Sequence, residues 1–211
     1  MVESGAMRLG REAAAFAVLL LALAAPARAD RASVVASAYS GLSLSAPSAS
    51  FMTVCHGFGC QYRVELGLTS ADHATMRRLM AAGSGSAAKE RAAVAAVGAW
   101  FDKRVAPLAG TKGHVARANR DYMFDKGQFD CIDTSRNITS LLLVLDELGL
   151  FKYHRVAEPE ARGHIIDFTA PHATAVLVEK DSGVKWSVDA WTRAYGQAPE
   201  VMPLERWRQL D

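Results

Sequence analysis

Residues 129–149 read FDCIDTSRNITSLLLVLDELG, and this stretch decides the fold. Ile138, Leu141, Leu142, Leu145 and Leu148 recur at helical spacing, while Gly149 supplies a natural C-terminal stop. Leu143 and Val144 fill the opposite flank, so the predicted helix is apolar nearly all round and belongs at the centre of a core. A cysteine, Cys131, opens it. Asn137-Ile138-Thr139 matches a glycosylation acceptor, but inside such a helix it is inaccessible.

Working outward, strand-like pieces follow the helix. Tyr153 to Val156 is one, and His172 to Glu179 is another. The turn Asp181-Ser182-Gly183 leads into Val184 to Asp189, so the last two runs form an antiparallel hairpin. Pro203 stands where a short final helix would begin, running through Leu204 to Leu210. Before the central helix, Phe51 to Val54 and Gln61 to Leu66 suit two short strands. A short helix is predicted over Ser70–Ala82 with Ser70 as N-cap, and a longer one over Ala87–Val105, stopped by Pro107 and Gly110. The fold class is α+β, with the cysteine-bearing helix packed on an antiparallel sheet.

The whole chain has 211 residues, 50% of them hydrophobic, and three cysteines, which excludes a disordered tail or a disulfide-dense miniprotein. Its formal charge is +2, with no dense Lys/Arg run, so nucleic acid is not the expected partner. Arg8 and Arg11 precede an apolar stretch from Ala13 to Ala25, followed by Pro26 and Ala27-Arg28-Ala29. That order is the one found in secretory signal peptides, and it is too short to span a bilayer as a permanent anchor. The expected organisation is a signal peptide over 1–29, a flexible Ala/Ser-rich lead-in over 30–50, and one domain over 51–211. The mature protein is expected in the periplasm or secreted, with no membrane span after cleavage.

Export makes a disulfide the first reading of Cys55-His56-Gly57-Phe58-Gly59-Cys60, with Cys55 paired to Cys60 across a glycine turn. The alternative is a metal site from Cys55, His56 and Cys60, which offers only three local ligands. Cys131 is then left over: a nucleophile, a buried structural thiol, or a disulfide partner of Cys55 or Cys60.

The nucleophile reading rests on order. Cys131 opens a helix, His172 opens a strand and Asp189 closes the next, and such ends converge at a cleft while their backbones stay rigid. A helix N-terminus and an imidazolium lower a thiol from its usual ~8.5, and the imidazole needs an acceptor to fix its tautomer. Against this, a turn centred near Ser182 sets Asp189 opposite about residue 175, three residues from His172, or roughly 10 Å at ~3.4 Å per residue. His154 and His164 are rival bases. Trp186 and Trp191 are expected to serve in packing.

Phe129-Asp130-Cys131-Ile132-Asp133, His172-Ala173-Thr174-Ala175-Val176 and Trp186-Ser187-Val188-Asp189-Ala190-Trp191 resemble the transglutaminase-like branch of the papain-like cysteine hydrolases. The resemblance covers about the last 80 residues. It implies a papain-like, transglutaminase-like fold, a catalytic triad of Cys131, His172 and Asp189, and acyl transfer through a thioester on Cys131. Hydrolysis of an amide or peptide bond in a protein, peptide or envelope substrate is favoured over transfer to an amine, and no metal or organic cofactor is required. Asp130 and Asp133 depart from the family pattern and oppose a thiolate if they point at it. The backbone N–H of Cys131 is the default oxyanion donor, with the Gln128 side chain as a second. The alternatives are an inactive binding module of the same fold, gripping a peptide or envelope component, and a purely structural envelope protein.

Overall fold

The computed structural model describes residues 25–39, 41–163 and 171–210. Most of the expected signal peptide, residues 1–24, lies outside the described residues, as does the rival base His164.

The first part of the expected lead-in, up to Ala38, is a docked helix, α1 (Ala25–Ala38). Val34 and Ala38, four apart and hence on one face, are both buried. The Arg31 guanidinium donates to the carbonyls of Leu143 (2.8 Å) and Pro47 (2.9 Å) and pairs with Glu147 at 2.8 Å. Glu147 also accepts the Ala49 N–H at 2.9 Å, so one carboxylate fastens both ends of the segment. Ala-rich sequence is a strong helix former, and here a short apolar face is enough to seat it.

Strands β1 (Phe51–His56) and β2 (Tyr62–Gly67) form an antiparallel hairpin in which His56 pairs with Tyr62. Helix α2 (Ser70–Ala81) is capped by Thr69 rather than Ser70, through a capping box with Asp72. Helix α3 (Ala87–Ala109) continues past the expected end at Val105. Pro107 removes one N–H without ending the helix, whereas Gly110, left-handed at φ 70°, does end it.

Helix α4 (Cys131–Glu147) packs against β1 and against three strands of a second sheet. Leu141, Leu142 and Leu145 are almost wholly buried, each contributing about 1.5–3 kcal/mol of apolar transfer. This anchors the rod whose first residue is Cys131. The second sheet is antiparallel, in the order β3 (His154–Arg162), β4 (His172–Glu179), β5 (Lys185–Asp189), β6 (Glu200–Pro203). Strand β3 runs beyond the expected Val156 and takes Pro159 at a register shift between Ala157 and Glu160, a place where an edge strand tolerates proline. Helix α5 (Leu204–Arg208) follows β6 directly. The fold is α+β, and no helix among the described residues is long and apolar enough to cross a membrane.

Candidate active site

Cys131 is the first residue of α4, and Asp130 is its N-cap, accepting the Asp133 N–H at 2.7 Å. The half-buried sulfur lies 3.8 Å from the Pro171 carbonyl oxygen and accepts a hydrogen bond from the Ala173 N–H. It therefore touches the main chain on both sides of His172. Burial pushes the Cys131 thiol up to about 11; the charges of Asp130 and Asp189 add to the rise, while the N–H groups of Ala173 and of Cys131 itself oppose it. The expected lowering of this thiol is thus corrected: desolvation outweighs the helix N-terminus.

The carboxylates of the two acidic neighbours are taken up by the β1–β2 turn. Gly57, Phe58, Gly59 and Cys60 all have positive φ, between 61° and 76°, so their N–H groups line up on one side of a tight turn. Asp133 accepts from Phe58 N at 2.8 Å and Cys60 N at 2.6 Å, and Asp130 accepts from Gly59 N at 2.8 Å. Burial, and then the charge of Asp130, push Asp133 up to about 7. A Cys55–Cys60 disulfide closes the turn, as expected. With both thiols bridged, the three-ligand metal reading is set aside, as is a bridge to Cys131, which is free. Asn137 clasps β1 from α4, exchanging hydrogen bonds of 2.8 Å with the N–H and carbonyl of Cys55.

His172 and Asp189 meet. Nε2 of His172 lies 2.5 Å from Oδ2 of Asp189, and both side chains are buried. Register explains how. Ala175 pairs with Val188, so Asp189 falls opposite Thr174, two residues from His172 rather than three. Residues two apart share a face, and a diagonal pair at about 7–8 Å is within reach of an imidazole. Asp189 also accepts from Trp207 Nε1 at 2.9 Å and from Trp191 N at 3.1 Å.

With the N–H groups of Trp191 and Trp207 both donating to the Asp189 carboxyl, Nε2 of His172 is engaged as a further donor to it, and Nδ1 is the ring nitrogen left over. That Nδ1 is buried with no hydrogen-bond partner. Trp191 and Trp207 flank the ring, with centroids at 4.6 and 5.3 Å. Trp191 thus does more than pack. Its own position is held by the 110–130 segment, through Arg117 N to its carbonyl (2.7 Å) and its Nε1 to Ala118 O (3.2 Å).

Other expected participants lie elsewhere. The Gln128 side chain accepts from Val115 N at 2.9 Å and donates to Gly113 O at 3.4 Å, so it braces a loop and is not an oxyanion donor. His154 is buried between Glu90 (2.8 Å) and Arg91 (3.2 Å). It pairs across strands with Glu179, seven residues along β4 from His172 or roughly 23 Å, and is corrected from rival base to structural histidine. Trp186 stacks under the Arg91 guanidinium at 3.5 Å and packs on the core, as expected. Trp207 was missed by sequence reading. Its only signal is that a buried indole N–H needs an acceptor. No family model, curated protein or solved structure matches this chain.

Proposed function

We propose that this protein is an exported cysteine-dependent acyl-transfer enzyme of the papain-like, transglutaminase-like type, hydrolysing an amide or peptide bond through a thioester on Cys131. The observation that carries the reading is the His172 ring, tied to Asp189 through Nε2 while its buried Nδ1 has no partner. A buried nitrogen lone pair left unsatisfied costs stability and needs an explanation. A base awaiting a proton is that explanation.

With the thiol pushed up to about 11, the resting sulfur is a neutral thiol rather than a thiolate. As sulfur attacks the carbonyl carbon, the thiol proton passes to His172 Nδ1 and a tetrahedral oxyanion forms. The N–H groups of Cys131 and Ala173, already aimed at the sulfur, are the nearest donors for that charge. Collapse expels the amine, which takes the proton from Nδ1, and leaves the thioester. Water then gives a proton to Nδ1 as its oxygen attacks the thioester carbonyl; collapse releases the carboxylic acid, and the proton on Nδ1 passes to the departing sulfur, restoring the thiol and the free ring nitrogen. Asp189, fastened by Trp207 and Trp191, keeps the ring oriented throughout.

The test is covalent labelling with a set of peptidyl acyloxymethyl ketones. Cys131 is labelled in the wild type and not in His172→Ala, whereas iodoacetamide at high pH labels both. Equal ketone labelling of the two proteins rejects the mechanism. The raised thiol itself favours a second reading, an inactive peptide-gripping module of the same fold, and that module predicts ketone labelling no faster than for a free peptide thiol.

A further inference from the structure

Alongside the proposed nucleophile runs a groove of about 170 Å³ between α1, the first turns of α4, β3 and β4. It is continuous with the site. Ile132, which follows Cys131, and Ala173, whose N–H meets the sulfur, both line it. Ile132 is 37% exposed and stands four residues from Arg136 on the same helical face.

The charges in the groove do not balance. Glu160 is engaged on both oxygens, by Lys185 at 2.8 Å and Arg208 at 3.0 Å, and Arg208 reaches Glu205 at 2.7 Å as well. Those two cations and two anions cancel. Arg136 does not enter that network: its Nε donates to the Ala38 carbonyl at 3.0 Å, and its two terminal nitrogens have no partner among the described residues. The bond at Nε fixes the plane of the guanidinium, leaving a free two-pronged donor suited to a carboxylate.

We propose that Arg136 is a specificity-determining residue that holds a carboxylate of the substrate in this groove, so that the proposed enzyme acts on acidic peptides; the inference rests on the acyl-transfer reading of Cys131. Five helix positions separate the two residues, a rise of about 7.5 Å and a turn of about 140°, so the span is at least about two residues of extended peptide. The carboxylate therefore belongs to a neighbour of the scissile bond, as an Asp or Glu side chain or as the chain terminus.

Protection of Cys131 from iodoacetamide at high pH tests this without relying on turnover. Three peptides are compared: an end-capped peptide containing Glu, its Gln counterpart, and a neutral peptide with a free C-terminal carboxylate. In the wild type the Glu peptide protects at roughly tenfold lower concentration than the Gln peptide, the scale of a charge-assisted hydrogen-bonded pair. Arg136→Gln, which keeps a donor for Ala38, removes the difference, and Arg136→Lys retains part of it; circular dichroism and urea melts establish that both variants fold. Protection by the free-terminus peptide that exceeds that by both end-capped peptides and is lost in Arg136→Gln identifies the terminus as the source and also supports the proposal. Equal protection by all three peptides in the wild type, or a preference that survives Arg136→Gln, overturns it. Failure of the acyl-transfer reading shows separately, as ketone labelling that ignores His172→Ala while the charge preference persists.

Discussion

Alkylation of Cys131 as a function of pH separates a resting ion pair from a resting neutral pair. Burial pushes the thiol up to about 11, well above the ordinary cysteine range. At pH 7 the thiolate fraction is then about one in ten thousand, roughly a hundredfold below that of an unperturbed cysteine. Since thiolate is the reacting species, iodoacetamide should modify Cys131 on the order of a hundredfold more slowly than glutathione at neutral pH, with rates still climbing above pH 10. Cys131 is the free cysteine and the other two are bridged, so mass spectrometry of the intact protein reads the reaction directly. Asp130→Asn removes one of the charges that raise the thiol and should move the profile to lower pH. The same profile in Asp189→Asn should shift in the same direction. A wild-type midpoint below about 8.5 would refute the reasoning, since it would place a thiolate–imidazolium pair in the resting protein and make His172 an acid from the start.

Three further outcomes follow from the same geometry. Because Asp133 is pushed up to about 7, the folded state holds its proton more tightly than the unfolded chain; its own contribution to stability is full below about pH 4 and is lost as pH rises through about 7. Asp133→Asn flattens that decline, but its amide cannot accept from both Phe58 and Cys60, costing about 1–3 kcal/mol in urea melts at low pH. Replacing Cys55 and Cys60 together by alanine, or reducing the bridge, lowers stability by about 2 kcal/mol, the loop-closure value for so short a ring, read as a fall in the urea midpoint. Trp207→Phe deletes one donor to the buried Asp189, for about 1.5–3 kcal/mol, and slows ketone labelling of Cys131 while leaving high-pH alkylation unchanged.

What could be read from the sequence divides along physical lines. Helix α4 and the β4–β5 hairpin announce themselves, because a long apolar period and a glycine turn are local signals. The meeting of His172 and Asp189 was visible only in outline. A turn centre misplaced by half a residue moves the expected partner of Asp189 from Thr174 to Ala175, which also flips it to the wrong face. Helix α1 was hidden because its anchoring is remote: Arg31 is fastened to residues 112 and 116 positions away. Strand β6 and the far half of β3 were concealed by Pro203 and Pro159, which at sheet edges carry none of their usual meaning as breakers. Nothing local marks Trp207 as the residue that steadies Asp189, or Gln128 as one that braces a loop.

The two indoles against His172 have a use that concerns the experimenter more than the molecule. Indole emission is dimmed by a protonated imidazole in van der Waals range, and neutral imidazole dims it far less. Trp191 and Trp207 sit at that range, whereas Trp186 lies under Arg91. Arrival of a proton on the ring is thereby converted into an optical signal, so that titration of this one histidine can be followed by intrinsic fluorescence, with no added dye and no known substrate.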